Sequence, residues 1–438
     1  MLIEFTVGNF KSFRDKTTFS MIAANLTSED PALDTDNVIP VSKNLSLLRS
    51  AAVYGANASG KSNLGTALRF MRDFILTSSR EASTPAVSGL EPFRLDRKTT
   101  EQPSFFEIVF LLDKRQYRYG FEVNREQVVS EWLFHVPKTK EIALFVREGQ
   151  AIDVRASFKE AKGLESRTRT EALFLSLVAL FNGAIALKFQ AYFDTFAIET
   201  GLQDDRFRAF TQECLGDPGY REKLLHFVHN LDLNIDDIVI LQPPPLEALP
   251  QELPDETKSQ ILTRLSQTIF ISRQVSDVQG DVVLFNLDVH ESQGTRKLIA
   301  MAGPLHSVLE FGHILFVDEL DARLHPLMTR RIIELFHSPL TNPNGAQLIF
   351  ATHDTNLLDK TLFRRDQIWF AEKDRQGATH LASLAEYRVR SDAAFEKQYL
   401  EGRYGAIPFL GDLSRLPWAQ NKDEEKGAEA AEQEAVHA

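Results

Sequence analysis

The sequence lacks several features that would have settled its class at once. It has one cysteine, Cys214, among 438 residues, which excludes a disulfide framework or a cysteine-built zinc centre within the chain. No base is paired with Cys214 in the sequence, so it reads as a small core residue. Long hydrophobic runs are missing as well. The longest lies at about 173–187 and is broken by Asn182 and Gly183, short of the ~20 residues that span a bilayer. No membrane association is expected. The opening residues do not have the basic-then-apolar layout of an export signal, and a cytoplasmic protein is expected. Positive charge is in deficit, with 49 Lys plus Arg against 61 Asp plus Glu and a net charge of −12. That balance argues against wholesale coating of nucleic acid but leaves room for a local basic groove.

What is present is ordinary for a globular protein. Hydrophobic residues make up 43% and charged residues 25%, which excludes a wholly disordered chain. The length fits two or three modules or one large core. Residues 1–23 read as strands, and 24–46, with turn signals at Ser28, Pro31, Asp34 and Pro40, read as a loop. The apolar run 50–54 enters a Gly-rich segment, and a helical spacing of apolar residues follows. Two strands, 104–112 and 115–123, flank a hairpin turn at Asp113-Lys114. Residues 156–232 carry helical spacing, and 242–254 hold five prolines, as a linker or exposed loop would. Strands are expected at 268–271, 282–287, 313–317 and 347–351, with helices near 295–310 and 326–338. Apolar strands alternating with helices predict an α/β protein with a mainly parallel sheet. Four segments result: 1–150 with the Gly-rich loop and a β-rich lobe, 151–235 as a mostly helical insertion, 236–418, and an acidic tail, 419–438. The tail holds two lysines and six acidic residues and is expected to be disordered.

The strongest motif is Gly55-Ala56-Asn57-Ala58-Ser59-Gly60-Lys61-Ser62, which fits G-x-x-x-x-G-K-[ST]. Such a loop turns successive backbone N–H groups toward phosphate oxygens. Lys61 adds a point charge at the β/γ phosphates, and Ser62 offers a hydroxyl to Mg²⁺. The helix that follows aims its positive end at the same anion. The candidate nucleotide-binding residues are therefore Gly55, Asn57, Ser59, Gly60, Lys61, Ser62 and Asn63. The second motif is the apolar strand Ile314–Val317 ending in Asp318-Glu319. Asp318 is placed to hold Mg²⁺, directly or through water, and Glu319 to polarise an attacking water as general base. Ser292-Gln293-Gly294 opens a helix, as an anion site or an ordinary N-cap does. His353 ends the strand 347–351, as a contact for a γ-phosphate or as a structural histidine.

The order of these motifs resembles the ATP-binding-cassette class of P-loop ATPases, with SMC, RecF and OLD-type relatives. The opening Phe5–Phe13 looks like the N-terminal strand pair of that group. The segment Tyr399–Pro408 looks like the stand-alone bacterial ATPases of the RloA and AbiL type, which are associated with phage defence. The resemblance covers roughly residues 1–410. It implies an ABC-ATPase head with a mixed, mainly parallel sheet around the phosphate loop, and ATP and Mg²⁺ as cofactors. Residues 1–150 and 236–418 would be its two parts. Gly55–Ser62 match Walker A, Asp318 and Glu319 Walker B, and Ser292, Gln293 and Gly294 the signature. Leu320–His325 match the D-loop, and His353 the switch histidine, so Lys61, Glu319 and His353 would carry hydrolysis. In that class the signature covers the nucleotide of the other subunit, so a homodimer or higher homo-oligomer with sandwiched ATP is implied. The signature lacks the leading leucine of transporter cassettes, and no glutamine is assigned to the Q-loop.

The output is less legible. Arg155, Lys159, Lys162, Arg167 and Arg169 fall within 15 residues, as a nucleic-acid contact or a solvated face with Glu160 and Glu165 interleaved. Arg221 and His226 match the R-x4-H spacing of HEPN ribonucleases, a spacing that helices produce often. No acidic run resembles a TOPRIM nuclease centre. The expected function is an ATP-driven switch in a bacterial anti-phage system that controls a separate effector, a nuclease or toxin. The alternative is a RecF-like repair ATPase that binds DNA.

Overall fold

The computed structural model describes residues 1–408 except 81–86, 138–139, 203, 231–234, 242–243, 252, 267, 275–280 and 391. Residues 1–406 form one unit, and 407 onward belong to a second. The expected tail at 419–438 lies outside the described residues.

The chain opens with β1 (Leu2–Gly8) and β2 (Thr17–Ser20). The stretch 24–46, expected as a loop, is more ordered than that. It holds α1 (Leu33–Asp36) and most of a hairpin of β3 (Val38–Ser42) and β4 (Leu45–Leu48). Ile39, Leu47 and Leu48 are buried, and the register shifts between Pro40 and Ser42. A bulge is where a strand tolerates proline, and that proline disguised the hairpin. Next come β5 (Ser50–Tyr54), the Gly-rich loop and α2 (Lys61–Thr77).

Five strands follow: β6 (Ser104–Leu112), β7 (Arg115–Val123), β8 (Val128–Val136), β9 (Ile142–Glu148) and β10 (Ala151–Val154). They join β1 and β2 in a seven-stranded antiparallel sheet. The expected β6–β7 hairpin is present, with Asp113 and Lys114 at φ +50° and +60°, the primed turn that matches strand twist.

The segment 151–235 holds α3 (Phe174–Leu180), α4 (Ala184–Asp194), α5 (Asp205–Gly216) and α6 (Pro218–His229). It also supplies a strand to each large sheet. Its first residues are β10, so the 150/151 boundary falls inside the β9–β10 hairpin. Between α4 and α5 lies β11 (Ala197–Thr200), which pairs in parallel with the strand that ends at Asp318. Among the described residues no single helix is long and apolar enough to cross a membrane. The apolar helices α3 and α4 meet at 107° and bury Phe174, Leu175, Val178, Phe189 and Phe193.

A small sheet of β12 (Asp237–Ile240), β13 (Ile269–Gln274) and β14 (Val282–Asn286) encloses α7 (Asp255–Ser266) in sequence. Beyond it come α8 (Leu287–His290), α9 (Gln293–Phe311), β15 (Ile314–Asp318), α10 (Pro326–His337) and β16 (Gln347–Ala351). The last elements are β17 (Ile368–Lys373), β18 (Thr379–Ser383) and α11 (Phe395–Leu400).

The central sheet runs β11-β15-β16-β5-β17-β18, all parallel except the final pair. It is the mixed, mainly parallel sheet expected. Helix α2 is sandwiched between it and the antiparallel sheet, burying Leu64, Ala67, Leu68, Met71 and Ile75 at helical spacing. The opposite face packs Leu315, Val317, Leu348 and Phe350 against α9 and α10. Helix α9 contains Pro304, which cannot donate to the Ala300 carbonyl. The buried Thr211 of α5 fills the gap: its Oγ1 donates to Ala300 O at 2.7 Å and accepts from Gly303 N at 3.1 Å.

In the antiparallel lobe, Glu131 and Arg147 are fully buried and lie 3.5 Å apart. Glu131 accepts from Phe174 N (2.6 Å), Leu175 N (3.0 Å) and Tyr119 Oη (3.0 Å). Arg147 donates to the carbonyls of Gly149, Arg169, Thr170 and Ala172. The pair stitches β8 and β9 to the start of α3.

Candidate functional site

Every residue of β5 is buried, and the strand delivers the loop 55–60 to the edge of the central sheet's core. Gly60 caps α2 at φ +105°, and a Cβ there would collide with Thr379 Oγ1 and come within 2.7 Å of Ser12 Oγ. Thr379 donates from Oγ1 to Ser59 O at 2.7 Å and from its backbone N to Ser12 O at 2.7 Å. The Asn63 amide donates to Ser12 Oγ at 2.6 Å, so that amide is committed to the N-terminal hairpin. Asn57 and Ser62 are exposed, while Ser59 and Lys61 are buried. Among the described residues the Ser59 hydroxyl has no hydrogen-bond partner.

The Lys61 ammonium donates to its own loop, to Gly55 O at 2.6 Å and Ala56 O at 3.1 Å. Burial pushes its pKa down to about 8, while Asp318, Glu319 and Asp321 pull it back up. It stays charged at neutral pH and faces three acids. His353, at the end of β16, is held below the ordinary histidine range by burial and Lys61, against the pull of Asp321, Glu319 and Asp318. The structure therefore brings Lys61, Asp318, Glu319 and His353 into one electrostatic neighbourhood.

At the end of β15 the backbone is strained. Glu319 takes φ +55° and Arg323 +65°, and Ala58 in the facing loop takes +63°. Backbone of this kind recurs at active sites and ligand clamps as well as in tight turns. Among the described residues, one carboxylate oxygen each of Asp318 and Asp321 is buried without a hydrogen-bond partner. Such orphans call for a cation or a water. Among the described residues no group of three or more His, Cys, Asp or Glu could hold a metal ion. Asp318 with Ser62 instead fits the sparse oxygen set of Mg²⁺, which takes one or two protein ligands and fills the rest with phosphate and water.

Ser292 caps α9, accepting from Thr295 N at 3.1 Å. Ser292 and Gln293 are exposed, and Gly294 lies beside the Arg323 carbonyl. Among the described residues no hydrogen bond joins this turn to the loop 55–63. Within its own chain, Gly294 of this turn packs against the Arg323 carbonyl, in the stretch that follows Glu319.

Four residues escaped the sequence reading. Ser12 and Thr379 prop the loop from far along the chain. Gly201 donates from N to Asp318 O at 2.6 Å, and a Cβ there would collide with Glu319 O. Lys297 is wholly buried against the turn after Glu319. Gly201 follows the short strand β11, and Lys297 precedes an apolar helical run, which were the only signals available.

Several of the other basic candidates have local partners. Arg155 pairs with Asp153, and Arg169 pairs with Glu171 and donates to Ser78 O. Arg221, the arginine of the R-x4-H spacing, pairs with Asp237.

Fold and phosphate-loop motif together define an ATPase of the P-loop class. The chain belongs to the family described as "AAA domain, putative AbiEii toxin, Type IV TA system", whose model matches residues 50–359. The comparison with curated proteins gave no match. Among solved structures, the SMC head domain of Thermotoga maritima is 14% identical with a TM-score of 0.40, covering 87% of this chain and 98% of that one. The Smc head domain of Pyrococcus furiosus, solved with an extended coiled coil and bound to the C-terminal domain of ScpA, is 12% identical with a TM-score of 0.35. There the match covers 87% of this chain and 96% of that one.

Proposed function

We propose that this chain is an ATP-binding and ATP-hydrolysing switch that works as an ATP-linked pair and controls a separate effector protein in a bacterial defence system of the abortive-infection kind. The observation that carries the ATPase reading is the convergence of Lys61, Asp318, Glu319 and His353 on the phosphate loop, with a buried Asp318 oxygen left unpaired. The family's AbiEii description supports the defence reading.

In this reading the loop's N–H groups and Lys61 bind the triphosphate, and Lys61 exchanges the carbonyls of Gly55 and Ala56 for phosphate oxygens. Ser62 and Asp318 would hold Mg²⁺, which when bound offsets charge on the phosphates. Glu319 orients and deprotonates the attacking water, with His353 beside it. In this reading Ser292–Gly294 complete the site of another copy; among the described residues no hydrogen bond joins that turn to the loop 55–63 of its own chain. A second copy would supply the turn, and the two-fold arrangement would bury two nucleotides.

The test measures ATP hydrolysis and nucleotide-dependent dimerisation of the purified chain. Lys61→Ala is expected to lose nucleotide binding. Glu319→Gln is expected to lose hydrolysis and accumulate an ATP-bound dimer. Unchanged hydrolysis in both variants would overturn the reading. A pulldown on Glu319→Gln then separates outputs: a stoichiometric protein partner supports effector control, and recovery of DNA alone overturns it.

A further inference from the structure

The turn that follows Glu319 and the turn at Ser292–Gly294 are tied together by one buried charge. Lys297 lies three residues after Gly294, within the first turn and a half of α9, and has no exposed surface. Lysines at that depth ordinarily face a carboxylate. Among the described residues no carboxylate lies within ion-pair distance of this one. Its ammonium donates instead to Ala322 O (2.7 Å), Leu320 O (2.9 Å) and Glu319 O (3.4 Å). All three of its N–H groups are thereby used.

The gripped backbone needs holding. Glu319 and Arg323 both adopt positive φ, a conformation that persists only where surroundings over-determine it. Gly201 presses from the other side. A Cβ on it would collide with Glu319 O and stand 2.7 Å from Lys297 Nζ. The acidic turn is thus clamped between β11 and α9, and the α9 jaw is the helix that Ser292–Gly294 begin.

We propose that Lys297 is a positioning residue that sets the direction of the Glu319 carboxylate relative to the Ser292–Gly294 turn, so that whatever seats that turn is felt at Glu319. The inference rests on the reading above, in which Glu319 acts on the attacking water. Lys297 touches no substrate. It acts through the main chain of 319–322. Misplacing a reacting group by about 1 Å costs about a hundredfold in rate.

The test begins with wild type and Glu319→Gln. If wild type does not hydrolyse ATP, or Glu319→Gln hydrolyses it equally, the functional reading falls and Lys297 is not the reason. With wild type active, Lys297→Met keeps the stem and removes the donors, and Lys297→Arg keeps a charged donor. Lys297→Met is expected to lower kcat about a hundredfold, with KM and the Kd of a non-hydrolysable ATP analogue within about threefold of wild type. Lys297→Arg is expected to recover most of the lost kcat. Wild-type kcat in Lys297→Met would overturn the proposal. So would a parallel loss of kcat and analogue binding that follows the folded fraction. If Lys297→Met does not fold, Gly201→Ala strains the same carbonyl from the opposite side. It is expected to lower kcat while sparing analogue binding, and unchanged kcat there overturns the proposal.

Discussion

Two of the buried cations that grip main-chain carbonyls, Arg147 and Lys297, differ in what else they meet. Arg147 holds four carbonyls in the antiparallel lobe and has the equally buried Glu131 at 3.5 Å. Lys297 holds three carbonyls beside the strand-end acids with no such partner. The first is a closed account of charge, and its carbonyls lead to nothing reactive. The second has its positive charge met at hydrogen-bond distance by carbonyl dipoles, with Asp204 and Asp321 drawing on it from further off. Burial pushes the Lys297 pKa down to about 8, so the ammonium is still charged at neutral pH. The same device therefore serves as mortar in one lobe and as a linkage in the other. What distinguishes them is whether the gripped backbone runs into a residue with chemistry to do.

The largest effect that sharpens this contrast is expected on the mortar side. Glu131→Ala strips the carboxylate from Arg147 and from the N–H groups of Phe174 and Leu175, leaving a buried charge unpaired. Urea unfolding at neutral pH should record a loss of about 3–5 kcal/mol, while the protein that remains folded keeps its KM for ATP. A change of KM in that variant would break the contrast.

A smaller effect comes from His337, a buried base that resolves the same problem by giving up its proton. It lies 2.6 Å from Ser50 Oγ, and burial, with help from Arg49 and Arg330, holds its pKa down to about 3. The unfolded chain binds a proton there near pH 6.5 and the folded one does not, so stability falls as pH drops below 6.5. Between pH 7 and 5 the wild type should lose about 2 kcal/mol from this group. Parallel urea titrations of His337→Gln at the two pH values should show a correspondingly smaller loss.

Smaller again is Thr211→Val, which leaves the Ala300 carbonyl and the Gly303 N–H without their partner. Thermal unfolding should report a destabilisation of about 1–3 kcal/mol. The smallest effect is set by the props of the phosphate loop. Thr379→Val removes the donor to Ser59 O, and titration with an ATP analogue should show about fivefold weaker binding, the worth of one hydrogen bond. If Thr379→Val instead abolished binding, the loop would depend on that prop far more than its geometry implies.

The parts of this architecture that were readable are those where chemistry dictates residue type at fixed spacing. A backbone that must approach phosphate needs Gly55 and Gly60, and the anion needs Lys61, so strand, loop and helix could be placed together. The apolar run into Asp318-Glu319 was readable for the same reason. So was the hairpin at Asp113-Lys114, because strand alternation on both sides left no other turn. The unreadable parts depend on partners remote in sequence. Thr379 reaches Ser59 across 320 residues, and no local pattern announces it. The short strand β11 owes its existence to pairing with β15, since four residues carry too little periodicity to declare a strand. The bond from the Asn63 amide to Ser12 is remote in the same way. The β3–β4 hairpin was hidden by a proline that a bulge accommodates.

The splice in α9 carries a consequence for how this sequence can drift. Pro304 and Thr211 are chemically a single unit divided between two helices, because one removes a donor and the other replaces it. Either can be exchanged freely only after the other has changed. A serine at 211 would keep the hydroxyl, and an alanine at 304 would make the hydroxyl dispensable. A valine at 211 paired with the proline is the combination that selection should remove. Among descendants of this chain, positions 93 residues apart are therefore expected to vary in step.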